Sequence, residues 1–169
     1  MKTNNYKQCL LAMGGANVGD IVLKRHTGTE YDSYALGSND SSLSMMIGMY
    51  YIDTVLTSWS QSGVIFGDGD TEPTEDDYTL SGNIITGIAY TSKVTRVIEN
   101  NKNTRTVTYT ITNNNSESIT IKEIGYVGYA KYNSGYAYSV LLDRELLENP
   151  ITIEAGGVGQ ITYTVTIGA

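Results

Sequence analysis

Threonine alternates with large apolar residues in two segments of the chain, and this pattern limits the fold more than any other feature. In residues 105–112, Val107, Tyr109 and Ile111 are separated by threonines, and residues 161–167 repeat the arrangement. Side chains two positions apart in a β-strand share one face, so each segment has an apolar face and a threonine face. The pattern predicts strands that cover a core on one side only, as in antiparallel sheets.

In a third segment, residues 119–126, the apolar residues first occupy odd positions and then even positions. Ile119 and Ile121 lie on odd positions, whereas Ile124 and Tyr126 lie on even positions. An added residue that interrupts the pairing would bring both sets to one face. We therefore predict a β-bulge at residues 122–123.

Turn-forming residues separate the predicted strands in the C-terminal half of the chain. The run at residues 113–116 is Asn-Asn-Asn-Ser, which favours left-handed conformations and hydrogen bonds to its own backbone, and so predicts a turn. Gly156 and Gly157 separate residues 151–153 from the last threonine-patterned segment. This spacing is typical of a tight turn and predicts a β-hairpin.

The upstream half gives weaker signals. Residues 83–98 are rich in β-branched side chains and predict one long bent strand or two shorter strands that meet at Gly87. Residues 20–26, 43–51 and 52–57 are further candidate strands. No window shows a helical period with caps at both ends, so we expect little helix.

The chain has 169 residues, of which 40% are hydrophobic and 17% are charged, as expected for one folded domain with an extended arm or insertion. We predict an all-β fold, an antiparallel β-sandwich of jelly-roll or Ig-like type over residues 61–169. Residues 1–60 would form an N-terminal arm or strands, either within the same sandwich or at a subunit contact. Residues 43–51 are apolar on both faces, which fits either a strand covered on two sides or a contact with a neighbouring subunit.

Charge and residue counts argue against several classes of function. The net charge of -7 leaves no basic excess for a nucleic-acid backbone. With one cysteine, Cys9, and one histidine, His26, the chain has neither an intrachain disulfide nor a His-rich metal site, and we expect no cofactor. The apolar run at residues 9–13 is too short for a signal-peptide core or a membrane span, so we expect neither export nor a membrane partner.

Acidic residues concentrate at residues 68–77, which would suit calcium. An EF-hand loop beginning at Asp68 would need glycine at its sixth position and glutamate at its twelfth, where the chain has Pro73 and Thr79. A turn capped by Thr74, with carboxylates near unpaired backbone N–H groups, is the interpretation we favour.

The residues around His26 match no catalytic signature, and the chain lacks a Gly-x-Ser-x-Gly elbow. We therefore expect a surface or interface histidine and no enzyme activity. A glycosidase-like carboxylate pair stays open, since the spacing of the acids in space is not fixed by sequence.

Tyrosine is unusually abundant, with 14 residues against one Trp and one Phe. Tyrosine suits subunit interfaces and, less often, platforms for sugar rings, for which Trp59 is the only tryptophan. The candidate interface residues are an apolar group and a tyrosine-rich group: Met45, Met46, Met49, Tyr50, Tyr126, Tyr129, Tyr132, Tyr136 and Tyr138.

The segment 64–80 consists of an apolar run followed by Gly-x-Gly-x-Thr-x-Pro-Thr-x-x-Asp-Tyr-x-Leu. Downstream come, in order, a threonine-alternating strand with an Asn turn, Ile119–Gly125, Leu141–Leu146, and Pro150–Ile153 with Gly156 before a last threonine-alternating strand. This series resembles virion structural proteins of tailed bacteriophages, over residues 64–169. Residues 1–63 carry no matching motif.

The resemblance implies a β-sandwich that assembles on the virion as a head decoration, a head fibre or a head–tail or tail component. Its implied partners are other copies of itself and a major capsid, portal or tail protein, and its implied location is the virion, assembled in the bacterial cytoplasm. The leading hypothesis is thus a noncatalytic virion protein that acts through subunit interfaces. The alternatives are a glycan-binding host-recognition module, based on the tyrosines and Trp59, and a small hydrolase, based on the carboxylates and His26.

Overall fold

A computed structural model describes residues 1–7, 23–31, 45–46, 52–99, 102–131 and 137–167. These residues form nine strands, with one helical turn at residues 4–7. The pairings between these strands are all antiparallel. The prediction of a nearly all-β, antiparallel fold with little helix is confirmed. No helix in these ranges is long and apolar enough to cross a membrane.

One sheet consists of three long strands in the order β5-β6-β9. Strand β5 spans Ile88–Glu99, β6 spans Lys102–Asn113 and β9 spans Val158–Ile167. The β5 and β6 ladder is regular over its whole length, from Ile88 opposite Asn113 to Glu99 opposite Lys102. The two threonine-patterned segments of the sequence are thus the neighbouring strands β6 and β9.

The second sheet is built around β7, which spans Ile119–Lys131. One edge of β7 pairs with β8 (Ala137–Ile153), and the other pairs with β4 (Gly63–Gly67) and then with β3 (Met45–Met46). Two short strands, β1 (Leu23–Lys24) and β2 (Glu30–Tyr31), form a separate ribbon.

Both large sheets contribute side chains to one hydrophobic core. Val107, Tyr109 and Ile111 of β6 are fully buried in the same cluster as Phe66 of β4 and Tyr126 of β7. The Phe66 and Tyr109 rings meet edge to face, with centroids 5.4 Å apart. A smaller cluster covers the other face of the β7 sheet and consists of Leu56, Ile65, Leu80 and Val127.

The threonines of β6 and β9 lie on the opposite face of their sheet, as the alternation predicts. Thr106 lies opposite Thr164 and Thr108 opposite Thr162, with hydroxyl oxygens 3.1 and 3.3 Å apart. Such cross-strand pairs stabilise a sheet by about 0.2–1 kcal/mol each relative to alanine pairs.

The predicted hairpin around Gly156 and Gly157 is wrong. The turn forms, with Gly156 at a φ of 72° and a hydrogen bond from the Gly157 N–H to the Glu154 carbonyl. However, β8 pairs with β7, whereas β9 pairs with β6. The turn therefore carries the chain from one sheet to the other, because both strands bury their apolar faces in the core between the sheets.

The predicted irregularity at residues 122–123 is confirmed in position but not in form. Ile121 lies opposite Ile151, and Glu123 lies opposite Leu146. The extra residues therefore belong to β8, whereas the prediction placed an extra residue on β7. Pro150 lies in this stretch of β8, and proline has no N–H to donate to a ladder.

The other predicted elements fall partly within the described residues. Gly87 has a φ of 67° and directly precedes β5, so a break at Gly87 separates residues 83–86 from the long strand. Within the candidate strands 20–26, 43–51 and 52–57, the structure has β1, β3 and an isolated parallel bridge from Val55 to Val64. Residues 25 and 26 follow β1 and are not in a strand, and residues 20–22, 43–44 and 47–51 lie outside the described residues.

Described parts of residues 1–60 pack on the body of the protein. The Thr3 hydroxyl donates to the Leu141 carbonyl of β8 at 2.7 Å, and Asn5 exchanges hydrogen bonds with the backbone of Lys24. Leu23, Ile52 and Val55 are buried in the main core. The boundary near residue 60 stays a prediction.

Candidate functional site

The motif that carries the resemblance, residues 67–80, is anchored to the sheet by a buried carboxylate. Glu123 of β7 is fully buried, and its side chain accepts hydrogen bonds from the backbone N–H groups of Gly69, Ser81 and Gly82 at 2.8–3.1 Å. The Ser81 hydroxyl donates to the same carboxylate at 3.2 Å. Glu123 thus fixes both ends of the motif to the middle of β7.

Arg144 of β8 completes the anchor. Its Nε donates to Glu123 at 2.7 Å, its Nη1 to Asp77 at 2.6 Å, and its Nη2 to the carbonyl of Thr71. Arg144 is only 2% exposed, so the guanidinium is a buried cation whose charge is matched by two carboxylates. This geometry supports a structural role for the group.

The pKa directions agree with a closed ion-pair network. Burial alone would raise the pKa of Asp77, but hydrogen bonds from the Thr74 N–H, Arg144 and the Thr74 hydroxyl outweigh it and lower that pKa. For Arg144, burial acts to lower the pKa, and the bonds to Glu123 and Asp77 raise it above the ordinary value. Both groups are therefore held in their charged forms.

Two glycines let the ends of the motif approach each other. A Cβ on Gly69 would lie 2.0 Å from the Ser81 hydroxyl oxygen and 2.3 Å from the Gly82 nitrogen. A Cβ on Gly82 would lie 2.2 Å from both an Asp68 carboxylate oxygen and the Gly69 nitrogen. Glycine is required here because of this close contact.

Several carboxylates of the acidic cluster 68–77 form hydrogen bonds or ion pairs with other residues of the chain. Asp68 accepts a hydrogen bond from the Asn83 N–H at 2.6 Å, Asp70 pairs with Lys122 at 3.1 Å, and Asp77 pairs with Arg144. The predicted turn at Thr74 is present, but its capping runs in the reverse sense: the Thr74 N–H and hydroxyl donate to Asp77, both at 2.9 Å. Within the described ranges, no group of three or more His, Cys, Asp or Glu residues could hold a metal ion.

A second buried carboxylate, Asp143 of β8, lies on the other side of the same strand. It accepts a hydrogen bond from the Tyr163 hydroxyl at 3.0 Å and pairs with the Lys2 ammonium. Burial, together with Asp143, raises the pKa of Tyr163, so this phenol stays protonated. Asp143 thereby joins β8 to β9 and to residues 1–7.

The single histidine stacks on the single tryptophan. The His26 and Trp59 rings are nearly parallel, 4° apart in plane, with centroids separated by 4.9 Å. Burial and the nearby Arg25 lower the pKa of His26, which favours the neutral imidazole. One face of Trp59 is therefore occupied by another ring of the same chain.

A polar cleft of about 590 Å³ opens beside the motif, lined by residues that include Asn4, Lys24, Glu30, Glu75, Asp76 and Tyr78. Several of these groups already pair with each other: Asn4 donates to Asp76 at 2.8 Å, and the Lys24 ammonium lies 4.5 Å from the Tyr78 ring centroid.

The candidate interface residues are spread over several environments. Tyr126 is 2% exposed and packs in the main core, so its ring serves this chain and not another subunit. Met45, Met46, Tyr129 and Tyr138 lie in paired strands, with Met46 opposite Tyr129. The other candidates lie outside the described residues: Met49, Tyr50, Tyr132 and Tyr136.

Two features of the structure were not predicted from the sequence. Glu123 and Arg144 were not singled out, because single charged residues inside apolar strands give no signal of their distant partners. Strand β5 was recognised as a strand but not as a surface: its Tyr90, Val94 and Ile98 are 37%, 44% and 64% exposed. The sequence does not predict this exposure, because it depends on how far the other sheet extends.

No family model, no curated protein and no solved structure matches the chain. The residues and their geometry are therefore the basis for the function proposed below.

Proposed function

We propose that the protein is a noncatalytic structural component of a bacteriophage virion that assembles on the particle through subunit interfaces. In this proposal the two large sheets form a β-sandwich, which is supported by their common core and by the Phe66–Tyr109 contact between them. Its partners are other copies of the chain and other virion proteins.

One observation supports assembly above all: the exposed strand β5. It is 12 residues long, pairs only with β6 among the described strands, and carries four exposed large apolar side chains, which are Tyr90, Val94, Val97 and Ile98. A long apolar edge strand is a site for pairing with another chain unless it is protected. A protein whose role is to assemble would use such an edge.

The chemistry of the polar groups supports a noncatalytic role. The buried charged side chains Glu123, Asp143 and Arg144 are joined to other groups of the chain by hydrogen bonds and ion pairs. These contacts hold loops and strands together, which supports a structural role for the three side chains. His26 stacks on Trp59 and not against an acid and a hydroxyl.

The test is to delete the gene from the phage that carries it and to examine purified particles by mass spectrometry and electron microscopy. The expected result is loss of this chain from the protein inventory of the particle, with a discrete density missing from a defined location. Supplying the wild-type chain in trans should restore both. Particles of unchanged composition and unchanged density would contradict the proposal.

A further inference from the structure

Strand β5 extends the core-facing side of its sheet beyond the area that the other described residues cover. Tyr90 lies opposite Ile111, and Val94 lies opposite Val107. Residues directly opposite each other in a ladder share a face, so Tyr90 and Val94 lie on the side that β6 buries. Ile111 and Val107 are fully buried, whereas Tyr90 and Val94 are 37% and 44% exposed. Among the described residues, this face therefore continues from the buried core on β6 to exposed side chains on β5.

The open edge of β5 is suited to backbone pairing. All 12 residues from Ile88 to Glu99 are paired to β6 without a register shift, and the strand contains neither proline nor glycine. Every second residue of an antiparallel edge strand directs its N–H and C=O groups away from the sheet. Two charged residues of like sign, Lys93 and Arg96, restrict which registers a second strand can adopt.

We infer that a second copy of the chain pairs with β5 through its own β5, antiparallel and centred on Val94. This inference rests on the proposed function, because it names the partner of the same surface. In this register Val94 lies opposite Val94 of the other copy, Tyr90 opposite Ile98, and Lys93 opposite Thr95. On the exposed face these apolar pairs flank a pair of Arg96 with Ser92, and no two like charges are opposite each other.

The neighbouring registers that keep the same faces together are less favourable. A pairing centred on Lys93 places the two Lys93 ammonium groups opposite each other, and one centred on Arg96 does the same for the guanidinium groups. A pairing centred on Thr95 places Val94 opposite Arg96 and Lys93 opposite Val97. Like charges directly opposite each other destabilise a strand pair, so the Val94-centred register is preferred.

The consequence is a twofold-symmetric dimer with one continuous six-stranded sheet. The same strand of both copies forms the interface, as an isologous contact requires. The threonine face of β6 and β9 would extend across both copies on one side of this sheet, and the apolar residues of the two β5 strands would close the other side.

Substitutions at two equally exposed positions test the Val94-centred register. Val94 and Val97 are both 44% exposed and lie in the same strand, but on opposite faces. In Val94→Lys, two lysines meet at the centre of the pairing, and we expect the dissociation constant, measured by sedimentation equilibrium, to rise at least about tenfold. In Val97→Lys the new lysine lies opposite Thr91, and we expect a change of less than about threefold. An equimolar mixture of Val94→Lys and Val94→Glu should recover dimers.

Circular dichroism and thermal unfolding of each variant verify that the chains fold. A wild-type chain that stays monomeric at every concentration would overturn the β5 dimer. Oligomers equally sensitive to Val94→Lys and Val97→Lys would overturn it as well, while leaving assembly through another surface intact. The proposed virion role is decided separately by the gene-deletion experiment, so failure of the dimer and failure of that role are distinguishable.

Discussion

At the scale of single residues, Glu123 has the largest influence on the motif at residues 67–80. A carboxylate in the interior is costly unless its oxygens receive donors and its charge is matched. Glu123 meets both conditions through three backbone N–H groups, the Ser81 hydroxyl and Arg144. Glu123 therefore holds the backbone at Gly69 and at residues 81–82 against the sheet, and we call this set of contacts the clasp.

Replacing Glu123 with glutamine tests the clasp. Glu123→Gln keeps the shape of the side chain but removes half of the negative charge that faces the buried Arg144. We expect a loss of about 3 kcal/mol in the free energy of unfolding, measured by urea denaturation. The control is Glu117→Gln, at an exposed position in the turn before β7. Equal stability of the two variants would contradict the structural role of Glu123.

Gly69 tests the close approach inside the clasp. Because a Cβ on Gly69 would collide with Ser81 and Gly82, Gly69→Ala should destabilise the protein by about 2 kcal/mol. Gly156→Asn is the matched control, since Gly156 has open space around its Cα and a φ of 72° that asparagine tolerates. Equal melting temperatures of Gly69→Ala and Gly156→Asn would contradict the close contact of Gly69 with Ser81 and Gly82.

Asp77 makes a pH-dependent contribution to stability. Its pKa in the folded state is lowered below the ordinary value of 3.8, so the folded protein binds this proton less readily than the unfolded chain does. The resulting stabilisation is present above pH 3.8 and is lost as the pH falls through the lower, folded-state pKa. In urea denaturation at a series of pH values, Asp77→Asn should be less stable than wild type at pH 7. The difference should shrink below pH 3.8.

Asp76→Asn is the control for that series, because Asp76 accepts a hydrogen bond from Asn4 and lies on the exposed side of the turn. A gap between wild type and Asp77→Asn that is constant from pH 7 to pH 3 would show that the Arg144 contact does not set the acid response.

At the scale of strands and turns, Asn113 connects the ends of both sheets. Its side-chain amide donates to the carbonyls of Glu117, Ile153 and Glu154 at 2.8–3.1 Å, and its Oδ1 accepts the Asn115 N–H at 2.9 Å. The predicted self-bonded Asn turn is therefore confirmed. The contacts to Ile153 and Glu154 also bring the β8–β9 turn against the β6–β7 turn.

Removing this amide should loosen both turns together. Asn113→Ala removes the amide that donates to the carbonyls of Glu117, Ile153 and Glu154, and we expect a loss of about 2 kcal/mol in the free energy of unfolding. The control is Asn114→Ala, since Asn114 is exposed in the same turn. Hydrogen exchange should show faster exchange in residues 113–118 and 154–157 of the Asn113 variant only. Faster exchange in one turn alone would contradict the coupling.

Which strands pair was less predictable than which residues form strands. Period-two alternation is a local signal, and it located β6, β9 and the start of β7 correctly. Pairing depends on which sheet each strand joins, so a short glycine turn between two strands looked like a hairpin although it crosses between sheets. The extra residues were likewise predicted on the wrong strand. The change from odd to even apolar positions on β7 does not show which of the two paired strands contains them.

At the scale of the whole molecule, the candidate site depends on contacts between distant parts of the sequence. Glu123 meets Gly69 across 54 positions and Arg144 across 21, and no local pattern predicts such partners. The β-branched composition of residues 83–98 predicted a strand, but the exposure of its apolar side chains depends on how far the opposing sheet extends. The interface residues predicted from the sequence were methionines and tyrosines, and the exposure of Val94, Val97 and Ile98 on β5 was not predicted.

The proposed assembly through β5 is tested most directly by amide hydrogen exchange of residues 88–99 in the assembled protein, compared with the monomeric Val94→Lys variant. We expect slower exchange in β5 on assembly, confined to alternate residues whose N–H groups point away from β6. Equal exchange rates of β5 in the assembled and monomeric proteins would contradict the claim.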